Sequence, residues 1–283
     1  MTDSNTPPDD TAPRRAAVGT FFDQFRIALS LLTRLPVPLP REPVSLSATV
    51  WAFPLIGVLV GLAGGVVFFV ANRFGLGNTS AALLTLGCQI LLTGGLHEDG
   101  LADTADGFGG GRIKDRKLEI MRDSRIGTYG VLALLLVFGL RFAVISELAG
   151  SLASISGEYD ETVSQSGAII IALVVSGALS RAAMTALWYA LPPARQDGLS
   201  AVAGKVGAPS LVAGLVIAAG ISFLLLDAPL VVASLAAATS ITLIMSVLSV
   251  RQVGGHTGDI LGATQQISEV AILLAISAAT ISV

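Results

Sequence analysis

The sequence predicts an all-α fold, a polytopic membrane helix bundle of about seven spans with the N-terminus inside, an N-terminal interfacial helix and polar loops on the cytoplasmic side. Three observations predict it. Of the 283 residues, 53% are hydrophobic and only 13% are charged, outside the usual range of soluble domains. Apolar stretches of spanning length recur from Val50 to the C-terminus and leave no room for a separate soluble core. Lys and Arg gather in alternate loops, as cytoplasmic retention of positive charge requires.

Residues 1–20, rich in Pro, Asp and Thr and without an apolar core, read as a disordered tail, with one membrane domain over 21–283. Across 21–35, Phe21, Phe22, Phe25, Leu29, Leu32 and Leu35 recur at helical spacing with Arg26 and Arg34 between them. This pattern suits a helix lying in the bilayer interface, stopped by Pro36, Pro38 and Pro40. Spans are expected at 48–71, 81–96, 129–149, 168–191, 210–226, 230–250 and 267–282, the second and last being short for a bilayer core of about 30 Å. Gly57, Gly61, Gly64 and Gly65 set small residues three or four apart on one helix face, which permits close helix packing in lipid.

Five arginines (14, 15, 26, 34 and 41) precede the first span, and Arg112, Lys114, Arg116, Lys117, Arg122 and Arg125 lie between the second and third. Arg195, Lys205 and Arg251 follow in later loops of the same side, whereas the opposite loops hold Arg73, Glu158, Asp160 and Glu161. An N-in, C-out topology in the bacterial inner membrane satisfies every loop and brings 97–128, 192–208 and 251–266 to the cytoplasmic face. The formal charge of −3 offers no case for nucleic acid, and the single Cys88, in an apolar run, reads as a small hydrophobe.

The segment 97–130 carries the chemistry. Asp99, Asp103 and Asp106 stand at i, i+4 and i+7, which on a helix stacks three carboxylates on one face. Their repulsion is relieved by a cation, and an all-oxygen site suits Mg²⁺ or Mn²⁺ rather than Zn²⁺. The glycines at 107 and 109–111 offer unusual backbone angles close to a ligand, and Arg112, Lys114, Arg116, Arg122 and Arg125 follow at once. Carboxylates, flexible backbone and cations are the parts of phosphoryl transfer from a phosphoanhydride. The bland alternatives are a solvated acidic face, positive-inside charge, and salt bridges within the helix. His97 is a candidate base, metal ligand or phosphate donor. His256 and Asp259 form a second polar motif in GGHTGDILGA. Arg181, near the middle of a span, would cost at least about 2.5 kcal/mol unless it faces a cavity, a carboxylate or a ligand. The same applies to Arg141, with Glu147 within reach along its own span.

With these residues the chain resembles the cobalamin synthases, or adenosylcobinamide-GDP ribazoletransferases. The likeness runs through LLTRLPVP (31–38), FPLIG (53–57), GGLHEDGLADTADG (94–107), LEIMRDSRIGTYG (118–130) and TGDILGA (257–263). The resemblance implies a Mg²⁺-dependent transfer of phosphocobinamide from adenosylcobinamide-GDP to α-ribazole or its 5′-phosphate, releasing GMP. It assigns the metal to Asp99, Asp103 and Asp106 and the guanosine diphosphate to Arg122, Asp123 and Arg125. His97 becomes the candidate base, with Glu98 as substitute, while Arg181, Lys205, His256 and Asp259 are further substrate-binding candidates. The cytoplasmic loops would then be catalytic loops, and the partners the two substrates and the lipid bilayer, with a homo-oligomer or association with other cobalamin-assembly enzymes open. Gln265 and Gln266 stand where the family pattern leads one to expect an acid. A CDP-alcohol phosphotransferase is the rival enzyme, disfavoured because Asp99-Gly100 is followed by Leu101, Ala102 and Asp103 without the arginine that family places there. An ion-coupled transporter is the rival of another class, disfavoured because no repeated halves are visible.

Overall fold

A computed structural model describes residues 19–153, 161–195 and 203–281, so the expected disordered tail lies outside the described residues except for its last two positions. The described chain is helical. Its elements are α1 (Phe21–Leu32), α2 (Phe53–Arg73), α3 (Asn78–Thr93), α4 (Leu96–Gly110), α5 (Lys114–Ile120), α6 (Thr128–Ala153), α7 (Glu161–Ala190), α8 (Ala208–Leu225), α9 (Ala228–Val253) and α10 (Gly258–Ile281). Six of them, α2 and α6 to α10, are long and apolar enough to cross a membrane alone. Taken together, α3 and α4 would make a seventh span, bent by 89°.

That bend follows from sequence. Gly94 and Gly95 both adopt left-handed φ, 68° and 70°, which ends α3 and turns the chain before Leu96. α3 alone has 16 residues, about 24 Å at the helical rise, which falls short of a bilayer core. The expected span 81–96 therefore stops at Thr93, and α4 lies at one end of the bundle, outside the six spans.

Burial sorts the spans. In α7 and α10, 78% of the spanning residues are buried, against 17–22% in α6, α8 and α9, so the first two form the centre and the others face lipid. α2 packs most extensively on α7. A Cβ on Gly57 would lie 2.1 Å from the carbonyl oxygen of Gly177, so only glycine permits this approach, and the expected small-residue face is a packing face.

The last span differs most from expectation. It begins at Gly258 rather than at 267, and the expected loop 251–266 contracts to a short turn after Val253. Its polar residues Gln265, Gln266 and Glu269 are buried, turned into the bundle rather than toward lipid, so their polarity does not shorten the helix. α1 ends at Leu32, before the prolines, with Thr20 capping its first turn through Asp23 N–H at 3.2 Å. Phe21 and Phe22 stay exposed, as an interfacial helix requires.

Candidate active site

A cavity of about 230 Å³ opens where the polar segments meet. One side is apolar, formed by Leu31 and Leu32 of α1, Phe53 at the start of α2, and Met184 and Trp188 at the end of α7. The other carries His97 and Asp99 from α4, Arg195, and Asp259 from α10. These elements meet because α4 and α10 touch through glycine. A Cβ on Gly100 would stand 2.8 Å from the carbonyl oxygen of Asp259, and one on Gly262 would stand 3.3 Å from His97 Cα. Thr257 caps α10. Its hydroxyl accepts from Ile260 N–H at 3.2 Å and donates to Asp259 Oδ2 at 3.1 Å, holding that carboxylate at the cavity.

Negative charge is concentrated here. The Asp103 carboxyl is pushed up to about 7, by partial burial first, then by Asp99, Asp259 and Asp106, with Arg195 opposing. The helical spacing thus does bring the α4 aspartates into one electrostatic group, and Asp259 joins it from α10. Asp106 has a different attachment. It is buried, and its two oxygens accept the backbone N–H groups of Gly127 at 2.7 Å and Gly130 at 2.9 Å, the unpaired donors at the start of α6. Among the described residues no three His, Cys, Asp or Glu side chains converge as a ready-made metal cage.

His97 is 2% exposed, and its Nε2 has no hydrogen-bond partner. Glu98 enters a buried polar network. Its Oε1 accepts from Gln266 at 3.0 Å and lies 3.8 Å from Arg141. Arg141 donates to Glu269 at 2.7 Å, Gln89 at 2.8 Å and Gln266 at 3.2 Å. Its partner is therefore not Glu147, which is exposed, but a carboxylate from another helix. Glu269 also accepts from Gln265, which donates to Ser180 at 3.1 Å as well. Arg181, 1% exposed, donates to the Gly177 carbonyl at 3.1 Å and feels Glu269, Glu98 and Arg141. The mid-span arginine thus lies inside the bundle within the electrostatic reach of Glu269 and Glu98. Glu269 is the acid that Gln265 and Gln266 lack, one helical turn later.

The basic segment lies apart from the cavity. Asp123 and Arg125 pair with each other at 2.6–3.2 Å on the surface, and the hydrogen bonds from Arg125 hold the Asp123 carboxyl down to about 2. Arg122 is exposed beside them, and Arg116 pairs with Glu119 at 2.7 Å. None of these lines the cavity. The glycines at 107 and 109–111 have no left-handed φ. Gly107 to Gly110 finish α4, and Gly107, Gly109 and Gly111 admit Met121, Tyr129 and Lys117, so they serve packing rather than a phosphate cradle. Lys205 is exposed and lines a neighbouring depression with Trp188 and His256. His256 is buried and tied by its backbone to Pro192 and Ala194, at 2.9 and 2.8 Å, which joins two of the polar segments. Burial lowers its pKa to about 4. Arg195 is the cavity residue that sequence reasoning counts only as a loop charge; its place just beyond Pro192-Pro193 is the signal available.

Comparisons with known proteins agree with these motifs. The chain is 46% identical over 258 residues to the adenosylcobinamide-GDP ribazoletransferase of Mesorhizobium japonicum, covering 91% of this chain and 93% of that one. The protein of the same name from Bradyrhizobium diazoefficiens is 42% identical over 268 residues, 94% and 97% of the two chains. That from Rhizobium meliloti is 40% identical over 276 residues, 93% and 99%. No solved structure matches the chain. A family model described as cobalamin-5-phosphate synthase matches residues 24–277, nearly the whole of the described bundle, and the chain belongs to that family.

Proposed function

We propose that this chain transfers the phosphocobinamide moiety of adenosylcobinamide-GDP to α-ribazole, or to α-ribazole 5′-phosphate, and releases GMP. The observation that carries the reading is the cavity between α4 and α10. It sets aspartates and an arginine against an apolar wall, in a chain 40–46% identical over nine-tenths of its length to the three relatives of that name described above.

In the transfer, the ribosyl hydroxyl oxygen attacks the phosphorus that bears cobinamide, and the anhydride bond to the GMP phosphate breaks. His97 lines the cavity, its Nε2 is buried without a partner, and burial with the charges of Arg181 and Arg141 holds its pKa well below the ordinary value, so the ring is neutral and is our candidate to take the hydroxyl proton. Asp99, Asp103 and Asp259 are the residues that would hold Mg²⁺; they do not converge as a cage by themselves, so phosphate oxygens of the substrate and water would complete the set of ligands. The aspartate donors are all oxygen, and Asp99, Asp259 and Asp106 add to the effect of burial in raising the Asp103 pKa, a repulsion that a divalent cation would relieve. Such an ion would supply neutralisation of charge on the transferring phosphoryl group. Asp106 is left to α6. The apolar wall of Leu31, Phe53, Met184 and Trp188 excludes water from the reacting phosphorus.

The lysines and arginines of the loops at this end of the bundle support a bacterial inner-membrane protein whose cavity faces the cytoplasm. The test is to supply the purified protein with adenosylcobinamide-GDP, α-ribazole and Mg²⁺, and separately with a CDP-alcohol and diacylglycerol. Cobalamin and GMP in equal amounts are expected from the first mixture. Product from the lipid pair alone would overturn the reading.

A further inference from the structure

We propose that Arg195 is the phosphate-binding residue of the cavity, holding the diphosphate of the nucleotide donor and the GMP that leaves; the inference rests on the transferase reading above. Among the described residues, Arg195 is the only Lys or Arg that lines the cavity. Its side chain is 16% exposed, and its Nε and Nη1 are buried without any hydrogen-bond partner. Nη2 forms a long ion pair with Asp259 Oδ2 at 3.6 Å, beyond hydrogen-bond distance, which leaves Nε and Nη1 unmet. A guanidinium is a planar fork of five donors, and burying those donors unmet is costly. The arrangement calls for an acceptor that can take two of them together, and phosphate oxygens match the fork.

Four other arginines are placed elsewhere. Arg141 is bound by Glu269, Arg125 by Asp123 and Arg116 by Glu119, while Arg181 lies within the bundle. Arg195 is also held in place before any ligand arrives. Ala194 N–H donates to the His256 carbonyl at 2.8 Å, and His256 N–H donates to the Pro192 carbonyl at 2.9 Å. The backbone bearing the guanidinium is thereby anchored to the turn that precedes Asp259.

This position gives Arg195 a part in the chemistry. When the acceptor oxygen bonds to phosphorus, the electron pair of the breaking anhydride P–O bond stays on the GMP phosphate, which gains one negative charge. The hydroxyl proton goes to the base. Donors aimed at the departing phosphate meet more charge in the transition state than in the bound substrate, so their loss lowers kcat as well as binding.

The experiment uses the full-length protein in detergent, with radiolabelled GMP in equilibrium dialysis and guanosine as the phosphate-free probe. Arg195→Gln is expected to weaken GMP binding about tenfold to a hundredfold, with guanosine binding unchanged. Arg195→Lys is expected to recover part of the GMP affinity, and Arg116→Gln to match wild type. If Arg195→Gln does not elute as folded protein, Arg195→Lys carries the test, since it keeps the charge but loses the fork. Binding of GMP within about twofold of wild type by either folded variant overturns the inference. A wild type that binds GMP through Arg195 yet forms no cobalamin overturns the transferase reading and leaves the phosphate site standing.

Discussion

Replacing Asp106 by Asn asks whether that carboxylate serves α6 or a metal. In the structure both of its oxygens are taken, by Gly127 N–H at 2.7 Å and Gly130 N–H at 2.9 Å. Asparagine keeps one acceptor oxygen and turns an NH₂ group toward the second donor, so one charge-assisted bond is lost and a buried N–H is left unpaired. The favourable placement of a negative charge at the α6 N-terminus goes with it. Together these amount to about 2–4 kcal/mol. Thermal unfolding of the purified protein in detergent, followed by tryptophan fluorescence, reads the loss, and turnover is measured well below the midpoint. The expected outcome is a lower midpoint, residual turnover and an unchanged Mg²⁺ dependence. An unchanged midpoint with a Mg²⁺ requirement raised about tenfold would refute the reasoning, because that is the behaviour of a lost metal ligand.

Glu269→Gln removes the carboxylate that holds Arg141 at 2.7 Å and faces Arg181. Two buried cations then share one carboxylate, Glu98, and a loss of about 3–5 kcal/mol is expected, measured as a fall in the unfolding midpoint, while Glu269→Asp falls less. His256 gives a pH signature. Its folded-state pKa of about 4 lies below its unfolded value, so the unfolded chain binds the proton first as pH falls. Its contribution is complete above about pH 6.5 and is lost on acidification toward pH 4. His256→Gln is expected to flatten the unfolding midpoint across that window, and an equally steep decline in the variant would contradict the assignment.

The spans are legible wherever apolar residues face lipid. For α2, α6, α8 and α9 the expected and observed limits agree within about five residues, the spanning part of α7 runs from Ser166 to Ala190 against the expected 168–191, and the glycine face of α2 has the packing role that its spacing suggests. α10 shows the limit of that reasoning. Hydropathy assumes that a spanning residue meets lipid, yet Gln265, Gln266 and Glu269 meet Arg141, Glu98 and Ser180 inside the bundle, so a helix of central importance looks half polar. The site divides in the same way. Spacing places Asp99, Asp103 and Asp106 on one helix face, but which neighbour each carboxylate finds depends on where α6 and α10 arrive. That is a tertiary fact, and it sends Asp106 to the α6 N-terminus and brings Asp259 to the others. The pairing within the segment after α5 is not legible either, because a basic residue satisfied by a near neighbour, such as Arg125 on Asp123, looks in a sequence like a free cation. Arg195 is overlooked for the opposite reason: one charge in a loop has no pattern, and only the folded chain sets it over the cavity.

The central claim is that the carboxylates between α4 and α10 organise a Mg²⁺-assisted transfer from a guanosine diphosphate donor. The most direct measurement is GMP release with cobalamin formation by Asp103→Asn across a Mg²⁺ titration, beside wild type and with the elution profile as a check on folding. The account predicts a folded variant whose turnover is lower by at least about a hundredfold at limiting Mg²⁺, with GMP and cobalamin in equal amounts from the wild type. Near-wild-type GMP release by Asp103→Asn at limiting Mg²⁺ would contradict it.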